Sequence, residues 1–182
     1  MSNGEPQPTG QGAPDPYGLG LETSANRLVD YNPLWPRAFE EEAGRIRAAV
    51  GDLALAIEHY GSTAVPGLRA KPILDLLVGV ADIDDGLEMV GPMAGLGYDY
   101  SDNHGIPEHH IFGRPTVRAY LVHVVVHGGD QWERCLRFRD RLRASADLRS
   151  EYQALKERLA REATSRAAYT DGKTAFVVAR SV

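Results

Sequence analysis

The sequence holds one cysteine in 182 residues, which excludes an internal disulfide. Cys135 stands in no Cys-x-x-Cys or nucleophile setting. It falls in a segment with helical spacing and is expected to be buried or half-buried. No apolar run approaches the about 18 residues needed to cross a bilayer, and the start lacks the basic and apolar regions of a signal peptide. These absences fit a reducing cytoplasm and no membrane partner. Basic charge is not in excess either, since 20 Lys and Arg against 25 Asp and Glu leave a net charge of −5. A dominant nucleic-acid surface is thereby disfavoured. A local anion site among Arg134, Arg137, Arg139, Arg141, Arg143 and Arg149 stays open. No internal repeat is present.

What is present describes one domain with a tail. An apolar fraction of 43% with 25% charged residues is that of an ordinary globular chain. Residues 1–25 read as a disordered leader, because up to Gly20 almost every position is Ser, Asn, Gly, Gln, Pro, Asp or Thr. The domain is expected over 26–182. Asn32-Pro33 supplies a helix cap followed by proline in the first turn. Leu34, Trp35, Ala38, Phe39, Ala43, Ile46 and Val50 then give an apolar stripe with helical spacing that ends at Gly51-Asp52.

Leu53 to Tyr60 reads as a strand, and Ile73 to Val80 is a near-continuous branched run of the kind covered on both faces. Asp75 is the one charge in that run. A helix over 84–96, short extended segments near 98–100 and 109–112, and a strand over 117–126 carrying His123 follow. From Asp130, expected as a cap, the chain turns helical, with further helices over 147–162 and from about Thr170 to Ala179. The fold class is α/β, a small mixed sheet with flanking helices and a helical C-terminal half.

The chemistry centres on Gly61-Ser62-Thr63 and Asp75. A strand ending in Gly-Ser, with an acid in the next strand, resembles the nucleotidyltransferase fold. Glycine lets the backbone approach a phosphate, serine and exposed amides donate to it, and a carboxylate on the neighbouring strand holds a divalent metal. Lys71 can add a point charge, and Arg139 and Arg143, four apart on one helix face, can clamp an anion beside Asp140.

The longer string is more specific. Gly61 to Leu68, Lys71-Pro72-Ile73-Leu74-Asp75, Gly97-Tyr98, His123-Val124, Phe138-Arg139-Asp140 with Leu142-Arg143, Tyr152 with Leu155-Lys156, and Tyr169 with Lys173 together resemble the GrpB family. The resemblance spans residues 29–178. It implies the nucleotidyltransferase superfamily, whose relatives include modules fused to dephospho-CoA kinase, and with it ATP and Mg2+, or Mn2+ or Zn2+, and a small-molecule acceptor. On that footing Gly61, Ser62, Thr63, Lys71, Arg139 and Arg143 bind nucleotide phosphates, Asp75, His123 and Ser62 hold metal, and Asp75 and His123 are catalytic.

The pattern also departs from an active superfamily member. The second carboxylate expected two residues after Asp75 is Leu77, and the later strand presents His123 where an acid is expected. Asp75 and His123 can share one metal, with His59 or Glu108 completing the shell, or form an acid–imidazole pair with His123 as base. A transferase, a non-catalytic anion-binding module and a metal-dependent hydrolase or lyase all stay open. His104, His109, His110 and His127 have no metal-ligand spacing and read as surface or loop residues, with only one of His109 and His110 able to face the site. Lys156 and Lys173 read as solvated helix positions.

Overall fold

The computed structural model describes residues 15–22, 25–101, 108–114 and 117–181. Its centre is a mixed sheet in the order β2 (Ala56–Tyr60), β3 (Leu74–Val80), β7 (Tyr120–Val126), β5 (His110–Gly113) and β4 (Asp99–Tyr100). β3 and β7 run parallel, and every other neighbouring pair is antiparallel. Those two lie side by side at the centre of the sheet, covered on both faces, which explains their near-continuous runs of branched residues. A two-residue strand, β1 (Leu21–Glu22), pairs with β6 (Val117–Arg118) outside the main sheet.

Alternation along the strands divides the side chains between two layers. Leu74, Leu76, Val78, Phe112, Val122 and Val124 point to one face. There they pack on Trp35, Ala38, Phe39 and Ile46 of α1 (Trp35–Val50), with Met89, Met93 of α3 (Val90–Gly95) and Tyr98. Asp75, Leu77, Gly79, His123 and Val125 point to the other face, where α4 (Asp130–Ala144) lies. Leu77 and Val125 are sealed under Trp132. Gly79 is what lets the indole so close, since a Cβ there would stand 2.9 Å from the ring. Full burial of the Leu77 side chain contributes about 2–3 kcal/mol. α5 (Ala146–Glu162) and α6 (Arg166–Arg180) complete the helical C-terminal half. Among the described residues no helix is long and apolar enough to cross a membrane.

Several boundaries differ from the sequence reading for local reasons. The first helix begins at Trp35, and Asn32 turns the chain before it, its side-chain oxygen accepting from the Leu34 amide at 2.9 Å. The helix expected over 84–96 is two pieces, α2 (Asp85–Glu88) and α3, because Pro92 has no N–H to offer the Glu88 carbonyl. Asp130 is not the cap of α4 but its first residue, where its charge favours the positive end of the helix. Ser145 and Ser165 cap α5 and α6, accepting from the Leu148 and Ala168 amides. The last helix starts well before Thr170 and runs through Gly172, which is small because Leu159 of α5 packs where its Cβ would be. The leader expected over 1–25 falls mostly outside the described residues. Of it, residues 15–22 are packed: the Tyr17 hydroxyl donates to Glu41 and the Trp35 indole donates to the Tyr17 carbonyl.

Candidate functional site

The turn after β2 is dictated by one glycine. Gly61 has φ +72°, and a Cβ built on it would collide with the Asp75 carboxylate, lying 2.9 Å from Asp75 Cγ. Dihedral and space therefore both require glycine. Ser62–Ala64 coil into a single 3-10 turn. Thr63 is buried with its hydroxyl 3.0 Å from His59 Nε2, and the Ser62 hydroxyl meets the Tyr152 phenol of α5.

Asp75 lies opposite Tyr60 on β2, and on β7 His123 lies opposite Leu77. Asp75 Oδ1 stands 4.0 Å from His123 Nε2, and the other ring nitrogen, His123 Nδ1, is 2.8 Å from His109 Nε2. Tyr60 meets the His123 ring edge-on at 5.2 Å. A carboxylate and two imidazoles thus stand in a row on the α4-side face, beside the part that Trp132 covers. His109 arrives because it precedes β5, which pairs with β7. It is buried rather than in a surface loop. His110 turns to the opposite face, its Nε2 donating to the Ile83 carbonyl while Nδ1 meets the Tyr100 hydroxyl at 2.8 Å.

Burial, then the Asp75 charge, pushes the Tyr60 phenol far above its ordinary range. Burial holds the Cys135 thiol at about 11, so it stays protonated at neutral pH. Burial likewise raises Tyr152, with Ser62 opposing and Asp75 adding. None of these three is an ionised nucleophile at neutral pH.

His59 does not join Asp75. Strand alternation sends it to the α1 face, where it stacks on Phe39 with 4.9 Å between ring centroids. Burial, with Arg143 and Arg139 adding, pushes it down to about 4, so it is a neutral packing group. Glu108 is exposed at φ +53°, His104 lies outside the described residues, and His127 packs on Trp132. Arg139 and Arg143 grip the turn from outside. Arg139 donates to the His59 carbonyl, Glu58 and Asp140, and Arg143 donates to the Ala64 carbonyl. With Tyr31, Phe39 and Arg149 they line a cleft of about 550 Å3 at the β2 edge of the sheet.

Lys71 donates to the Asn26 side chain at 2.7 Å and lies 3.6 Å from the Tyr169 ring centroid. Lys173 approaches the same ring at 4.7 Å. Lys156 is not solvated: it is 1% exposed, and its ammonium donates to the Arg69 carbonyl. Sequence reasoning left it open which of His109 and His110 faces the site, held Tyr152 and Tyr169 only as part of the family pattern, and read Lys156 as solvated. The repeated Tyr-plus-Lys pairs on two successive helices were the available signal.

The donors suit a resident two-metal centre poorly. Leu77 stands fully buried where the second carboxylate would be, and one carboxylate beside an imidazole is not the oxygen shell that Mg2+ requires. Among the described residues no three His, Cys, Asp or Glu side chains are grouped to hold a metal.

Fold and site together define a mixed-sheet α/β protein with helices on both faces and an acid–imidazole row beside a glycine-serine turn. The chain belongs to the GrpB protein family, whose profile matches residues 26–180. It is 43% identical to a UPF0157 protein of Pseudomonas aeruginosa, over 82% of this chain and 64% of that one. It is 31% identical to the glutamate-rich protein GrpB of Alkalihalophilus pseudofirmus, over 87% and 95%. The crystal structure of the conserved protein GrpB from Enterococcus faecalis superposes with a TM-score of 0.76 at 31% identity, covering 85% of this chain and 94% of that one. A dephospho-CoA kinase of Mycobacterium tuberculosis matches at 29% identity over 71% of this chain and 38% of that protein.

Proposed function

We propose that this chain has a nucleotidyltransferase-type fold, binds the phosphates of ATP or a similar nucleotide at the Gly61–Thr63 turn, and transfers a nucleotidyl or phosphoryl group to a small acceptor. The observation that carries this reading is the meeting at Asp75: the Gly61 backbone abuts its carboxylate while His123 Nε2 stands 4.0 Å away. The tautomer this reading assigns to His123 donates Nδ1–H to His109 Nε2, 2.8 Å away, and leaves Nε2 to accept a proton. An acceptor hydroxyl gives its proton to that nitrogen and its oxygen bonds to phosphorus, while the bridging P–O bond breaks and its electron pair leaves on ADP in a phosphoryl transfer or on pyrophosphate in a nucleotidyl transfer. The imidazolium formed is stabilised by Asp75. A positioned base of this kind contributes roughly 10^2–10^4 in rate. Mg2+ enters as the counter-ion that a nucleotide brings, with Asp75 the one hard donor of the pair, and no step is assigned to it.

Calorimetric titration with ATP, with and without Mg2+, and product analysis test the proposal. His123→Gln should bind ATP like the parent and lose turnover by the factor above, and Asp75→Asn should abolish the Mg2+ dependence. Parent-like behaviour of both variants would refute it. Buried Leu77 favours a second reading, an anion-binding module without turnover, for which ATP binds indifferently to Mg2+ and no product forms.

A further inference from the structure

Three guanidinium groups from two helices line the cleft at the β2 edge: Arg139 and Arg143 of α4, and Arg149 of α5. Its volume of about 550 Å3 falls within the roughly 300–1,000 Å3 of small-molecule pockets. Pro36, Phe39, Pro66 and the Tyr31 ring, which stands edge-on to Trp35, give it apolar walls.

The three arginines are not equivalent. Arg139 is saturated: Nε and Nη2 donate to Asp140, and Nη1 donates to Glu58 and the His59 carbonyl. Against the burial that lowers it, hydrogen bonds to those two acids hold its pKa above the ordinary value. Arg143 commits Nε to the Ala64 carbonyl, and its Nη1 stands 3.6 Å from the Asp140 carboxylate that Arg139 already holds. Its Nη2 has no hydrogen bond among the described residues. Burial and then the Arg139 charge pull Arg143 below its ordinary value, with Asp140, Glu58 and Tyr31 opposing. Arg149 commits Nη1 to the Leu142 and Arg143 carbonyls. Among the described residues no carboxylate lies within ion-pair distance of it. The open donors of the cleft are therefore on Arg143 and Arg149.

Charge narrows the ligand. Glu58 pairs with Arg139, Asp140 lies between Arg139 and Arg143, and exposed Glu40 also borders the cleft. The positive charge left over is small. One carboxylate matches it, and its two oxygens suit the edge of a guanidinium. The several charges of a phosphate tail would instead face Glu40, Glu58 and Asp140.

We infer that this cleft binds a small monocarboxylate with an apolar body, the carboxylate against Arg143 and Arg149 and the body against Pro36, Phe39 and Pro66. The site stands apart from the nucleotide reading, since neither Asp75 nor His123 lines the cleft. Arg143 joins the two regions, because the same side chain holds the Ala64 carbonyl at the end of the turn.

Titration calorimetry on the full chain tests this with phenylacetate and hexanoate, their amides, acetate and inorganic phosphate as probes. Each acid should bind at least about tenfold more tightly than its amide and than acetate. Arg149→Gln should weaken both acids about tenfold and leave the amides unchanged. Glu40→Gln removes an exposed acid from the border and should tighten both acids about twofold or more, a gain that misfolding cannot produce. Amides that bind like the acids overturn the carboxylate assignment, as does either variant, shown folded by circular dichroism, binding the acids like the parent. Should Arg149→Gln fail to fold, Glu40→Gln decides alone. Phosphate binding more tightly than both acids overturns the ligand class, and failure of both acids to bind overturns the site. ATP affinity should be unchanged in Arg149→Gln; a tenfold loss there would give the cleft to the nucleotide instead.

Discussion

Replacing Lys156 with methionine should change how stability depends on pH. The folded protein holds this lysine down at about 7, chiefly by burial, against an ordinary 10.5. Between those values the unfolded chain binds a proton that the native state lacks, so stability rises with pH, by up to about 1.4 kcal/mol per unit. The penalty on the buried ammonium is full below pH 7 and is relieved above it. From pH 7 to 9 the parent should gain about 2–3 kcal/mol from this group. Methionine removes the titration while nearly filling the volume, but leaves the Arg69 carbonyl without its donor, which costs about 1–3 kcal/mol. Urea unfolding at pH 6.5 to 9 should give a steep line for the parent and a flatter one for Lys156→Met, the variant relatively better at the acid end. Parallel lines would refute the buried-ammonium argument.

Gly61→Ala should destabilise by at least about 1–3 kcal/mol from the positive φ alone; adding Asp75→Ala should recover the part due to the collision, and strict additivity in that double-mutant cycle would contradict it. His59 is lowered to about 4 from 6.5, so its contribution is present above pH 6.5 and lost as pH falls to 4, up to about 3 kcal/mol. His59→Phe should lose less stability than the parent over that interval in acid unfolding followed by circular dichroism. Leu77→Asp should cost more than about 3 kcal/mol in urea unfolding or fail to fold, since it buries a charge among Val125 and Trp132. A stable Leu77→Asp protein that gains Mg2+ affinity would show that this face can accept a second acid.

The inner strands, the principal helices and the pairing of Asp75 with His123 were legible because each rests on period or on one conspicuous charge. Asp75 alone interrupts a branched run, and two-residue alternation puts it with Leu77. The same rule separates His59 from Asp75, yet the role of His59 as packing depends on Phe39, a long-range neighbour that no spacing reveals. Lys156 was misread because a lysine on an amphipathic helix is usually at the rim. Here the Arg69 carbonyl and the Tyr152 ring, on either side of it, draw the ammonium inward. Gly172 resembles a helix stop and is instead a contact point for Leu159.

The absence of a second acid on β3 follows from the architecture rather than from one substitution. Residues 75, 77 and 79 share the face that α4 covers, and Trp132 reaches Leu77 and Gly79 but leaves Asp75 partly accessible. A carboxylate at 77 would be buried under the indole with Leu and Val neighbours and no charge partner, so a two-acid strand and this seat for α4 oppose each other. The polar groups that remain accessible beyond the indole come from neighbouring strands, as His123 on β7 and His109 before β5. An acid–imidazole row is therefore what this packing leaves open beside the Gly61-Ser62 turn, and on the reading proposed above the proton transfer falls to His123.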